Sequence, residues 1–247
     1  MIDRSRFLKR IDKTLHAICS RRAFGALLHH GVLVGAEHRH VLERGLDTVV
    51  DIGANKGQFA LAARRWAPHS RVIAFEPLDG PSAIFRKVFE GDGKVVLHQA
   101  AIGPVSAQLT MHVSSREDSS SLLPISVEQT AMFPGTGEAA TATVTVATLD
   151  AFLNFGDIVA PALLKLDVQG YEYEALKGCE SLLHAFDWVY CECSYVEFYA
   201  GQKLADEVAT WLEAQGFELE GKFNLVRDPQ GRTVQADFLF KRVKQTL

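Results

Sequence analysis

Cysteine is scarce in this 247-residue sequence, and long apolar runs are missing. The four cysteines, Cys19, Cys179, Cys191 and Cys193, form no C-x-x-C and no paired zinc spacing, so neither a disulfide framework nor a zinc ribbon is expected. Cys191 and Cys193 alternate on a stretch read as buried strand, where a free thiol acts as a small apolar side chain. The most apolar stretch, residues 23–36, is interrupted by His29 and His30 and is too short to span a bilayer. The charged start of the chain lacks the apolar core and cleavage site of a secretory signal. These absences lead to the expectation of a soluble cytoplasmic protein, at most peripheral to a membrane. The phosphate-binding signature G-x-x-x-x-G-K-[ST] is absent, and so are the three spaced glycines of a dinucleotide turn after the first apolar run.

Charge is unevenly spread. Residues 1–46 hold nine Lys/Arg against four Asp/Glu, which leaves the remainder strongly acidic within a net charge of −4. An acidic main body argues against a broad nucleic-acid footprint. The basic stretch reads first as a helix lying on its own acidic domain. Self-association through N-terminal helices and peripheral membrane contact are the other readings it leaves open.

The most informative residues are Val49-Val50-Asp51-Ile52-Gly53-Ala54-Asn55-Lys56-Gly57-Gln58-Phe59. An apolar run ends at an acid and turns through two glycines into a helix. Glycine lets the backbone of such a turn approach a ligand closely. A carboxylate at Asp51 repels a pyrophosphate but suits the positive charge of S-adenosylmethionine (SAM). A second acid, Glu76, ends the next apolar run and is followed by Pro77. An acid at that point of a doubly wound sheet commonly binds ribose hydroxyls. Either acid alone reads equally well as a cap or a surface residue; the pair, one helix apart, favours a cofactor site.

Periodicity predicts helix over residues 3–44, broken near Gly31 and Gly35. Strand 48–52, helix 57–66, strand 71–76, helix 80–89 and strand 94–98 follow. Residues 104–148 read as an antiparallel pair plus a loop, an insertion that walls or covers a site. The alternation resumes with strand 162–167, helix 171–184, strand 188–193 and helix 203–215. A last antiparallel pair, 217–220 with 237–241, closes the chain. Strands alternating with helices imply a mostly parallel sheet with its ligand at the strands' carboxyl ends.

Together with Phe75-Glu76-Pro77, Leu164-Lys165-Leu166-Asp167-Val168-Gln169-Gly170-Tyr171-Glu172 and Leu176-Lys177-Gly178, the first motif resembles the FkbM family of SAM-dependent methyltransferases. The resemblance covers roughly residues 46–241. It implies an α/β, Rossmann-like class I methyltransferase fold with a seven-stranded sheet. The expected organisation is a helical extension over 1–46 and a SAM-dependent domain over 47–247. It also implies O-methylation of a sugar, lipid-linked sugar or secondary metabolite. One departure stands out: the family often has Asp-x-Glu-Gly-x-Glu where this chain has Gln169.

The expected cofactor residues are Asp51, Gly53, Ala54, Asn55, Gly57, Gln58 and Phe59 at the turn, with Glu76 and Pro77 at the ribose. Gln99, Ala100 and Ala101 would lie at the adenine, Ser121 at the mouth, and Asp167 beside the methyl group. A hydroxyl is a poor nucleophile at neutral pH, so a base within hydrogen-bond reach helps. Asp167 is the first choice, Glu192 the second, and Lys165 the charge partner that keeps Asp167 ionised. Tyr195, Glu197 and Tyr199 offer aromatic stacking and a carboxylate for a sugar. No third carboxylate completes a Mg²⁺ set with Asp167 and Glu192, so a metal is not expected although Mg²⁺ stays open. A zinc reading of His38 and His40 loses to a solvated helix. The competing functional readings are a silent methyltransferase-like scaffold and an N-methyltransferase, but the N/D-P-P-Y type of signature is absent.

Overall fold

The computed structural model describes residues 20–243, so the helix expected over residues 3–18 lies outside the described residues. Ser20 caps α1 (Arg21–His30) by accepting the Ala23 amide at 3.3 Å, and Gly31 ends it in the left-handed region. A 3₁₀ turn (Ala36–His38) leads into the short α2 (Arg39–Leu42). Val32, Val34, Val41, Leu42 and Leu46 are buried in the same cluster as Val49 and Phe59. Arg22 pairs with Asp92 and Arg44 with Glu220, so basic residues of this stretch meet acids of the main body.

Strands buried on both faces need continuous apolar runs. The first, β1 (Thr48–Ile52), is buried at every position. It is followed by α3 (Gln58–Trp66), β2 (Arg71–Phe75), α4 (Asp79–Val88) and β3 (Val95–His98), the strands pairing in parallel. The parallel rhythm then breaks at β4 (Ala101–Ile102), β5 (Ala107–Ser114), α5 (Val127–Met132) and β6 (Glu138–Ala147). The expected antiparallel pair is present as β5 and β6, and the structure adds a third strand to it. Ala101 and Ile102 pair in parallel with Val146 and Ala147, which makes a three-stranded sheet in the order β4-β6-β5.

The main sheet resumes with β7 (Ala162–Leu166), α6 (Glu172–Gly178), β8 (Trp188–Ser194), α7 (Ala205–Ala214), β9 (Phe217–Arg227) and β10 (Thr233–Arg242). The expected helix over 171–184 is two pieces. The Cys179 amide bonds back to Leu176 at 2.9 Å, and residues Glu180–Ala185 continue as a 3₁₀ turn. Tighter bonds of that kind commonly finish a helix. The last two strands are also far longer than their apolar cores suggested.

Strand order is β3-β2-β1-β7-β8-β10-β9, with β10 antiparallel to both neighbours. This is the Rossmann-like class I methyltransferase fold. Side chains alternate across each strand. Val50, Ile52, Leu164 and Leu166 face one core, while Val49, Leu163 and Tyr190 face the other, under α3. Asp51 and Lys165 occupy the second face at directly paired positions of β1 and β7. Two charged residues are thereby built into the middle of the sheet. Among the described residues no helix is long and apolar enough to cross a membrane.

Candidate active site

The turn after β1 is shaped by what lies beside it. The Gly53 and Ala54 amides both donate to Phe75 O at 3.0 Å, tying the turn to the end of β2. Gly53 has φ +78°, and a Cβ there would sit 1.9 Å from Asp167 O. Only glycine lets the exits of β1 and β7 lie this close. Gly57, with φ +97°, opens α3, and a Cβ on it would strike the Phe89 ring at 2.5 Å. Gly57 therefore packs beneath the site and does not line it.

A cavity of about 300 Å³ opens at this end of the sheet. Gly53, Ala54, Asn55, Gln58 and Phe59 form one wall and Glu76, Pro77 and Leu78 another. Ala100, Ala101, Asp167 and Gln169 also line it. Met111, Asp118, Ser120 and Leu122 bring the insertion over it, as the reading of 104–148 as a wall anticipated.

Glu76 is almost fully buried. Its Oε2 accepts the Asn55 amide and its Oε1 the Leu78 amide, each at 2.9 Å. Burial pushes its carboxyl up to about 7 against the pull of these two amides. The acid thus braces the glycine turn while facing the cavity, and each oxygen keeps a lone pair for a hydroxyl.

The structure corrects the expectation for Asp51 and Lys165. Asp51 is wholly buried beneath the turn and is not a cavity wall. Lys165 Nζ lies 2.9 Å from Asp51 Oδ1 and 4.0 Å from Asp167 Oδ2, so its main partner is Asp51 rather than Asp167. The contact is a buried ion pair. The ammonium also donates to Gly53 O at 3.1 Å. Burial pushes the Asp51 carboxyl up against the pull of Lys165. For Lys165 burial opposes the charge, but Asp51 and Asp167 outweigh it and hold the ammonium above its ordinary range.

Asp167 is half-exposed at the end of β7, within the cavity. Glu192 lies behind Gln169 and does not line it. Gln169 Nε2 donates to Asp167 Oδ1 at 2.8 Å and to Glu192 Oε2 at 3.0 Å. Burial pushes the Glu192 carboxyl well up, reinforced by Asp167, Asp237 and Glu172. A third carboxylate does exist: Glu172, with Asp167 and Glu192, places three ligand atoms within 4.8 Å of one another. It stood in the quoted motif, but only the fold returns it to the strand ends. There its Oε1 accepts the amides of Val168 at 2.9 Å and Gly170 at 3.2 Å.

Other expectations shift too. Gln99 points outward, accepting Arg86 at 2.8 Å and donating to Asp79, because it sits just before the chain joins β4. Ser121 is fully buried and bonds the Leu123 amide, leaving the cavity wall to Ser120. Tyr199 is buried, with its hydroxyl directed at Gln169 Oε1 and Ser119 O, so it offers no open face for stacking. Tyr195 takes Lys222 on its hydroxyl, and Glu197 accepts the Gly201 amide.

Glu37, not expected at the site, and His38, expected on a solvated helix, both line the cavity. His38 Nδ1 lies 3.1 Å from the Tyr190 hydroxyl, which donates to Asp237 Oδ2 at 2.7 Å. His40 turns away, bonding Glu37 O and packing tilted against Phe223, with ring centres 3.9 Å apart. Their placement depends on a 3₁₀ turn that periodicity does not reveal.

Residues 51–219 match the family described as Methyltransferase FkbM domain. Solved structures of similar shape include an FkbM methyltransferase from Methylobacillus flagellatus KT, 15% identical with a TM-score of 0.49. That alignment covers 79% of this chain and 43% of the other, so the matched part spans less than half the length of that relative. A precorrin-6y C5,15-methyltransferase from Geobacter metallireducens GS-15 is 13% identical, with 83% and 87% covered and a TM-score of 0.46. Aeropyrum pernix fibrillarin, solved with natively bound S-adenosyl-L-methionine, is 11% identical, with 81% and 67% covered and a TM-score of 0.43. Among curated proteins none matches this chain.

Proposed function

Because the chain belongs to the FkbM methyltransferase family, we propose that it is a SAM-dependent O-methyltransferase acting on a hydroxyl of a glycan, lipid-linked sugar or secondary metabolite. One observation carries the reading of the donor. The cavity wall holds the carboxylates of Glu37, Glu76, Asp118 and Asp167, while its lysine, Lys165, is already matched to Asp51. Such a wall favours a sulfonium over a phosphate. Glu76 is placed for ribose hydroxyls, Ala100 and Ala101 leave room for adenine, and Asp167 lies beside the Gly53 turn for the amino-acid end. SAM, when bound, supplies an electrophilic methyl group.

The chain's own residues do the rest. The rigid turn and the insertion hold the two reactants in line and restrict water, which supplies much of the rate of such displacements. Asp167, half-exposed at the end of β7, orients the acceptor hydroxyl and takes its proton. Asp51 and Lys165 act as positioning residues: the pair fixes Gly53 O and sets the field at Asp167. The acidic body gives no support to a nucleic-acid acceptor.

Calorimetry with SAM and S-adenosylhomocysteine (SAH), followed by methyl-labelled SAM with hydroxylated glycans and cell extract, tests the proposal. Binding heat and label in an alkali-stable ether are expected. A protein that binds neither compound refutes the donor assignment. Label found on nitrogen refutes the acceptor assignment, and binding without transfer to any acceptor favours a scaffold.

A further inference from the structure

The departure at Gln169 places an amide where the resembling family often carries a carboxylate. We propose that Gln169 is a positioning residue whose two amide protons clamp the Asp167 and Glu192 carboxylates together, so that this pair is held without a divalent cation.

The orientation of the amide is set by its partners. Nε2 faces Asp167 Oδ1 at 2.8 Å and Glu192 Oε2 at 3.0 Å, while Oε1 accepts from the Tyr199 hydroxyl at 2.9 Å. A flipped amide would press its oxygen against two carboxylates and leave the tyrosine facing an NH₂ group. Tyr199 is in turn held by Gln129 Nε2 at 3.3 Å and by its own contact with Ser119 O. The backbone of Gln169 sits at φ +54°, a conformation that side chains other than glycine, asparagine and aspartate seldom adopt. Strain of that kind persists where surrounding contacts hold it, and here three side-chain bonds do so.

Two carboxylates this close repel when both are charged, which adds to the burial that pushes Glu192 up, and a cation or a pair of donors offsets that repulsion. Gln169 supplies the donors from within the chain. The clamp also settles which oxygens remain for chemistry. Asp167 Oδ1 and Glu192 Oε2 are acceptors of amide protons and therefore carry none. A proton on Glu192 sits on Oε1, and Asp167 Oδ2 is the oxygen left to receive a proton from an acceptor hydroxyl.

The inference rests on the methyl-transfer reading for its catalytic meaning, but its test needs no acceptor. Mn²⁺ binding is measured by electron paramagnetic resonance on the wild type and Q169E. Thermal midpoints are measured for Q169L, E192Q and the double variant. Q169E should bind Mn²⁺ at least tenfold more tightly than wild type, because a further carboxylate replaces the amide beside Asp167, Glu172 and Glu192. E192Q should recover most of the midpoint lost in Q169L, since removing one carboxylate removes the repulsion. A role in packing alone would not be rescued in this way. Mn²⁺ binding by Q169E no tighter than by wild type overturns the proposal, as do strictly additive midpoint losses; if Q169E does not fold, the rescue decides. SAH binding by the wild type separates the two claims: its absence sinks the methyl-transfer reading and leaves the clamp standing.

Discussion

Lys165 and Asp51 face each other from paired positions on β7 and β1, with Nζ 2.9 Å from Oδ1 and both side chains almost wholly shielded from water. Breaking a buried pair by removing one partner leaves an uncompensated charge and typically costs about 3–5 kcal/mol. Lys165→Met should therefore destabilise the protein by roughly that amount in urea titration. Adding Asp51→Asn should restore much of it. A loss below about 1 kcal/mol for the single variant would show that the pair does not hold the turn.

Glu76 and Asp167 should separate by ligand. Glu76→Gln removes the charge and one acceptor that brace the turn, so SAH and 5′-methylthioadenosine should both bind about tenfold or more weakly, each losing a charge-assisted bond at the ribose. Asp167→Asn should weaken SAH while leaving 5′-methylthioadenosine, which lacks the amino-acid end, nearly unchanged. Equal effects of Asp167→Asn on both ligands would mean that the donor lies the other way round. Isothermal titration measures all four constants.

Stability of the ligand-free protein should fall as the pH rises through neutrality. Burial pushes both Glu76 and Glu172 up to about 7, from an ordinary value of 4.5. Between those limits the folded chain binds more protons than the unfolded one, so each group's contribution is complete below the lower value and lost through the upper. Thermal midpoints measured at steps from pH 5 to 8 should decline, and Glu172→Gln should flatten the decline. A midpoint that rises over this window would contradict the burial of these acids.

Gly53→Ala should be severe for so small a change. The added Cβ would lie 1.9 Å from Asp167 O at φ +78°. Left-handed backbone alone costs alanine about 1–2 kcal/mol, and the displaced carbonyl adds to that. The heat of SAH binding should disappear even where circular dichroism shows a folded chain. Retained binding at wild-type affinity would show that the close approach of the two strand ends does not matter.

Much of the fold could be read from the chain because its signals are local. Continuous apolar runs mark strands such as β1 and β7 whatever lies beside them, and Gly31 marks a helix end by its own backbone. The residues of the turn and the acids at the strand ends were visible for the same reason. Gln99 failed as a cavity residue because no local pattern records where β4 begins, and Ser121 because it bridges to His112 of β5 and turns its hydroxyl to the Leu123 amide. His38 was misread as part of a solvated helix because it reaches the cavity from a 3₁₀ turn that packs on α3.

The order of apolar runs, glycines and acids was enough to determine the seven-stranded architecture, the cavity end of the sheet and the family. Periodicity and turn chemistry act within a few residues, so they survive in the linear text. Which acid faces the cavity, which is matched to Lys165 and which pair Gln169 joins depended on groups far apart in the chain. Burial and distance decide those matters, and both exist only once β1, β7 and β8 lie side by side.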